Sequence, residues 1–221
     1  MPSFANKITT RRPTGRGLRR IIIRTTPKTT RFGGLVRHLW GLTNSPRPLT
    51  DDRAPAALAE TLLAEWEAHA RPATTAAYVA ARAGLLPRLT AFCALLLRPY
   101  DLNVDPEDAR SVLRHATAFR LGCAATFGPH RATGLPPLLT ADLHLLPPVA
   151  PPAGLQPIGA LLSLLGGPTH ELEMDELTEI VETIQHNLLT PDTEMIFGHG
   201  ILPEAAEAGL LAWLLVGYAP A

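Results

Sequence analysis

Cysteine is nearly absent: Cys93 and Cys123 are the only two in 221 residues, and both stand inside apolar stretches. Neither has a partner at metal-ligand spacing, so a disulfide framework and a zinc knuckle are set aside, and a reduced thiol pair in a cytoplasmic protein is the expectation. Long hydrophobic runs are also missing. Pro157–Leu165 and Ala208–Tyr218 are the longest, each about a dozen residues or fewer against the ~20 that span a bilayer, so no transmembrane helix is expected. A secretory signal is not expected either, because the first apolar island, Ile21–Ile23, is far too short for its hydrophobic region. The eight histidines, at 38, 69, 115, 130, 144, 170, 186 and 199, show no His-x-x-x-His spacing, and no metal site is expected. No Gly-x-Ser-x-Gly elbow or Cys/His nucleophile pattern occurs.

Acidic residues are missing from the first fifty positions, which carry eleven Lys and Arg; the remainder carries nine bases and twenty acids. A formal net charge of zero therefore divides into +11 and −11. A basic arm over residues 1–50 suits nucleic acid or an anionic membrane surface, contacted through residues 1–40, or an acidic partner, the chain's own body included. The same Thr-, Pro- and Gly-rich composition suits a flexible, solvated tail, and its acid-free, Arg- and Thr-rich character is shared with organellar transit peptides. Its sole aromatic before Arg31 is Phe4, so recognition by base stacking is not indicated.

At 46% apolar and 18% charged, the rest of the chain can bury a core of ordinary size. The prolines of Asn44–Thr50 mark a linker and a boundary near residue 50. Asp51 or Asp52 can cap a helix with Ala57, Leu58, Leu62, Leu63 and Trp66 on one face, ended at Pro72. A second, strongly apolar helix is predicted over 74–97, with Gly84 and Pro87 inside it. Residues 51–99 are thus a helical segment. Beyond residue 100 helices and strands alternate: a helix opening at Asp105-Pro106, a strand over Ala118–Phe127, and a turn at Gly128–His130. A weak helix over Arg131–Leu145 is broken by Gly134–Pro137, and a Pro-rich loop follows over 147–157. A strand over Ile158–Leu165, an amphipathic helix over Glu173–Leu188, and strands over Glu194–Ile201 and Leu210–Tyr218 complete the pattern. The alternation predicts an α/β fold with a mostly parallel four-stranded sheet covered by helices.

Four stretches stand in order across residues 100–219: Tyr100-Asp-Leu-Asn-Val-Asp-Pro-Glu-Asp108; Leu121-Gly122 with Gly128-Pro-His-Arg-Ala132; Leu165-Gly-Gly-Pro168; and Met195-Ile-Phe-Gly198 with a last strand closing on Gly217-Tyr218. In this order they resemble the C-terminal half of the FtsZ/tubulin-like family: its loop of Asn, Asp and Asp after a long central helix, its Gly-x-Asn-Arg-Ala turn, and its last strands. His130 stands where the family has Asn. The apolar helix before residue 98 would correspond to the central helix. The glycine-rich phosphate loop of the family's first half has no counterpart, since Gly33-Gly34 is the only glycine pair before residue 100.

The resemblance implies a cell-division or cytoskeletal protein in which residues 100–221 form the FtsZ C-terminal-like domain. It implies partners in an FtsZ-like GTPase subunit or in copies of itself. In such filaments one subunit's nucleotide is completed by the next subunit's acidic loop, so Asn103, Asp105 and Asp108 would act on a neighbour's nucleotide. Carboxylates facing a bound triphosphate can orient its attacking water. They repel phosphate and cannot hold it, so no cofactor of its own is expected, and GTP only where a partner shares it. Gly128 and Arg131 would lie at an interface, although Arg131 in that position could also make a structural hydrogen bond, and an arginine at a turn is more often simply solvated. A free-standing module that contacts or caps a filament and a truncated or mis-started GTPase both fit. The acids also have a local explanation: Asp105 as N-cap, Pro106 at the first helical position and Asp108 at the third make a good helix start.

Overall fold

The computed structural model describes residues 53–97, 104–147, 154–202 and 209–221, together with the backbone of residues 21–23. Two helices come first, α1 (Arg53–Ala70) and α2 (Ala76–Leu96). Asp51 and Asp52, the expected caps of α1, lie outside the described residues. Thr75 caps α2, its hydroxyl accepting the Tyr78 N–H at 3.1 Å. Pro87 sits inside α2 without ending it. Then follow α3 (Pro106–Leu113), β2 (Ala118–Phe127), α4 (Arg131–Ala141), β3 (His144–Leu146), β4 (Leu155–Gly166), α5 (Met174–Leu188), β5 (Glu194–Ile201) and β6 (Gly209–Pro220). Ile21–Ile23 forms a short strand, β1.

The α/β class agrees with expectation, but the sheet differs from the mostly parallel four strands predicted. Six strands run in the order β1-β5-β4-β6-β2-β3. Pairing is parallel for β1/β5 and β4/β5, and antiparallel for β4/β6, β2/β6 and β2/β3. The reason lies in the last strand. Only β4-α5-β5 is a crossover between neighbours, whereas β6 enters between β4 and β2 and runs against both.

The four long strands carry the sheet, and its central strand, β4, is buried over its last eight residues. That burial on both faces explains its unbroken apolar run. On one face α1, α2 and α3 pack Leu62, Trp66, Leu89, Phe92 and Val112 against Phe119, Leu161 and Trp213. On the other, α4 and α5 pack Leu135, Leu139, Ile180 and Ile184 against Leu162, Leu164, Phe197 and Leu214. Each such side chain contributes roughly 1.5–3 kcal/mol on leaving water. Trp66 ties the first layer down: its ring meets Phe119 edge-on at 5.0 Å and its Nε1–H donates to the Ala116 carbonyl at 2.9 Å.

Two elements depart from local rules. The stretch after Arg131, expected to break at Gly134–Pro137, is one continuous helix. Pro136 and Pro137 remove two backbone donors, but Leu135, Pro136 and Leu139 are buried and that packing outweighs the loss. Helix α2 is long and apolar enough, by length and composition, to cross a bilayer. One side of it packs into the core, burying Tyr78, Leu85, Leu89, Phe92, Cys93, Leu95 and Leu96. Its two charges are paired, Arg82 with Glu60 and Glu67 at 2.8 and 2.7 Å, and Arg88 with Asp142 at 2.6 Å. Gly217 marks the closest approach of α3 to the sheet, where a Cβ would stand 2.5 Å from the Val112 carbonyl oxygen.

Candidate functional site

Helix α3 begins at Asp105, whose extended backbone leaves its side chain free to cap. The Asp105 carboxylate accepts the N–H of Glu107 at 2.8 Å and of Asp108 at 3.0 Å. Asp108 returns the bond, its Oδ2 accepting the Asp105 N–H at 3.0 Å. Pro106, at the first helical position, has no N–H to satisfy. This reciprocal box holds the loop-to-helix junction rigid, and burial of Val104 beneath it anchors the entry. Asp108 is 1% exposed and Asp105 is half-buried. Asn103, the third residue of the expected acidic loop, lies outside the described residues.

The acid most open to solvent at this tip is one that the resemblance does not single out. Glu107 is 61% exposed and reaches Arg110 at 3.3 Å and Arg114 at 3.2 Å. Arg110 also holds Glu65 of α1 at 3.0 Å. Beside this network a groove of about 290 Å³ runs between α1 and α3, lined by Leu62, Glu65, Trp66, His69, Arg110, Leu113 and Arg114. The signal for Glu107 was present in the sequence, as an acid between two capping acids. Its outward direction follows only from the helix phase.

Of Gly128 and Arg131, both expected at an interface, Gly128 lies half-buried in the turn after β2 and Arg131 points its side chain into the protein. Gly128 has φ +83°, a left-handed conformation that favours glycine, and its carbonyl accepts the Arg131 N–H at 3.2 Å. The Arg131 side chain turns inward and is 6% exposed. Its guanidinium forks onto Glu176 at 2.8 and 2.7 Å and donates to the carbonyls of His170, Glu171 and Gly209 at 3.0, 2.8 and 3.4 Å. One arginine thereby joins the turn after β2, the loop after β4, the start of α5 and the start of β6. Its hydrogen bonds to Glu176 hold that carboxyl below the usual range and raise the arginine's own affinity for its proton. This is the geometry of a structural clasp rather than a contact surface. His130, where the resemblance has Asn, is the N-cap of α4 and makes no side-chain capping bond.

The remaining reactive side chains are disarmed by burial. Cys93 is pushed up to about 12 by desolvation, and Cys123 to about 11 by desolvation and the nearby Asp142 carboxylate, with Arg88 opposing. Neither carries thiolate near neutral pH. Among the described residues no three His, Cys, Asp or Glu side chains are grouped as a metal ion would need. Among the described residues, the chemistry available at the α3 tip is that of fixed carboxylates, able to position water or repel anions.

No family model matches the chain, and no curated protein does. Solved structures match part of it. The FtsZ W319Y mutant of M. jannaschii is 21% identical, over 63% of this chain and 40% of that one, with a TM-score of 0.47. An empty FtsZ dimer from the same organism is 21% identical, over 62% of this chain and 38% of that one, also at 0.47. The GDP-form protofilament of TubZ from Bacillus thuringiensis serovar israelensis is 13% identical, over 62% and 34%, at 0.46. The chain thus spans about two fifths or less of the length of these structures, and a likeness of this depth carries no functional argument.

Proposed function

We propose that the chain is a filament-contacting module of the FtsZ/tubulin type, which offers the α3 tip to a nucleotide held by a neighbouring GTPase subunit and caps or joins that subunit's filament. One observation supports this reading above the others: the four stretches of the resemblance fall in chain order along one sheet and the helices packed on it. The acidic box opens α3, the Gly128–Ala132 turn joins β2 to α4, Gly166-Gly167 ends β4, and Phe197-Gly198 lies in β5. In this reading Asp108, being buried, acts by holding the loop in shape, while Asn103 and Asp105 are the groups that meet the neighbour's nucleotide and its water. The nucleotide and the donors that cradle its phosphates come from the partner, because fixed carboxylates cannot supply them.

The test mixes the purified chain with an intact FtsZ-type GTPase. Alone, the chain should take up no guanine nucleotide by calorimetry. At equimolar or higher ratio it should change the partner's polymer mass or GTP turnover, and Asp105→Ala should weaken the effect. Tight stoichiometric nucleotide binding by the chain alone would overturn the reading, as would an unchanged partner.

A further inference from the structure

The two edges of β5 are used very differently. Its inner edge pairs with β4 over the full eight residues, Glu194–Ile201 against Gly159–Gly166. Among the described residues its outer edge is covered for three residues, where Met195, Ile196 and Phe197 pair in parallel with Ile21, Ile22 and Ile23. An uncovered strand edge is a row of backbone donors and acceptors to which any extended segment can add. The segment found there is the one apolar, β-branched island in an otherwise basic stretch, well suited to a strand.

Charge in the sequence flanking the two paired strands is complementary. Arg19 and Arg20 directly precede Ile21 in the sequence, and Asp192 and Glu194, both exposed, stand just before Met195. Parallel pairing puts the N-terminal ends of both strands at the same end of the ladder. An incoming segment with a basic N-terminal flank therefore arrives beside two carboxylates. The same relation holds at large scale, +11 for residues 1–50 against −11 for the rest.

Three residues of ladder make a weak hold, but residues 24–52 tether the segment to α1. A covalent connection in the sequence raises the segment's effective concentration at the edge above that of a free peptide. Occupancy in cis and reversibility follow together. We propose that the outer edge of β5 is a binding edge for a short β-branched aliphatic peptide with a basic N-terminal flank, and that Ile21–Ile23 is its resident plug.

The test uses the full chain carrying Ile22→Pro, which removes a backbone donor from the plug and nothing from the sheet. The probe is a fluorescent synthetic peptide of residues 17–28 with the native sequence. The variant should bind it at least about tenfold more tightly than the unaltered chain, where the plug competes. Added salt, or Glu194→Lys in the same background, should weaken that binding. Amide exchange at Met195–Phe197 should be faster in the variant and slow again with peptide, while exchange in β4 and β6 stays unchanged and reports an intact sheet. Equal exchange at Met195–Phe197 in both chains, with no peptide uptake, overturns the proposal. So does peptide protection that falls outside β5. Concentration-dependent dimers of the unaltered chain that vanish in the variant would replace the cis plug by that of a second copy, and overturn the assignment as stated.

Discussion

Helices α3 and α5 open with the same device and are put to different use. In each, the carboxylate at the third helical position accepts the N–H of the cap residue, Asp108 from Asp105 at 3.0 Å and Glu176 from Glu173 at 3.1 Å. At α5 the carboxylate also receives the Arg131 fork, and Arg131 gathers three carbonyls from two further segments. At α3 the box is flanked by Glu107, turned to solvent and paired with Arg110 and the C-cap Arg114 of the same short helix. The α5 tip is locked into the body of the protein, and the α3 tip presents Glu107 to solvent above a buried Asp108. A capping box therefore tells nothing about function until its neighbours are known.

The largest effect expected from this contrast is at Arg131. Arg131→Ala leaves Glu176 without its cation and takes a donor from three carbonyls, of which Gly209 keeps the Gly167 N–H, and breaking a buried pair of this kind costs about 3–5 kcal/mol. Urea unfolding should show the midpoint falling sharply with unchanged slope. A loss below about 1 kcal/mol would show that the clasp is redundant and the contrast false.

Acid should act on the same tip. The Arg131 hydrogen bonds, foremost, depress Glu176 below its usual 4.5. A carboxyl depressed in the folded state contributes stability that is present above its unfolded pKa and is lost as pH falls through its folded one. Asp142 shifts the same way: burial opposes the shift, and bonds from Arg88, the Cys123 N–H and His144 prevail. Stability should thus be level near neutrality and fall from about pH 4.5 downward. Arg131→Ala should flatten that fall, leaving the part due to Asp142, and an unchanged acid limb would remove Glu176 from the explanation.

Much of this was legible in the chain. Amphipathic spacing and punctuation located α5, and the Asp-Pro-Glu-Asp run located the start of α3, because both depend on contacts within one turn. The direction of β6 was not legible, since strand alternation alone cannot say between which neighbours a last strand inserts. The helix through Pro136 and Pro137 was hidden for a related reason: burial of Leu135 and Leu139 overrides a local rule that sequence reading must apply. Arg131 was noticed, but a structural hydrogen bond, a neighbour and solvent could not be told apart, because its partners Glu176, His170, Glu171 and Gly209 lie 39 to 78 positions away.

The smallest stability effects should come from the α3 tip, and there the comparison can be sharpened most. Asp105→Ala removes the acceptor for two backbone N–H groups and should cost about 1 kcal/mol, the usual worth of an N-cap. Glu107→Ala should cost within about 0.5 kcal/mol, because its pairs with Arg110 and Arg114 are exposed to water. If this tip works only as a helix start, the two variants should alter a partner GTPase's turnover in proportion to those costs, which is to say hardly at all at a temperature well below unfolding. If it is a contact surface, Glu107→Ala should change turnover or polymer mass while leaving stability in place. Measuring both quantities on both variants separates the two, since a cap moves stability and an interface moves the partner.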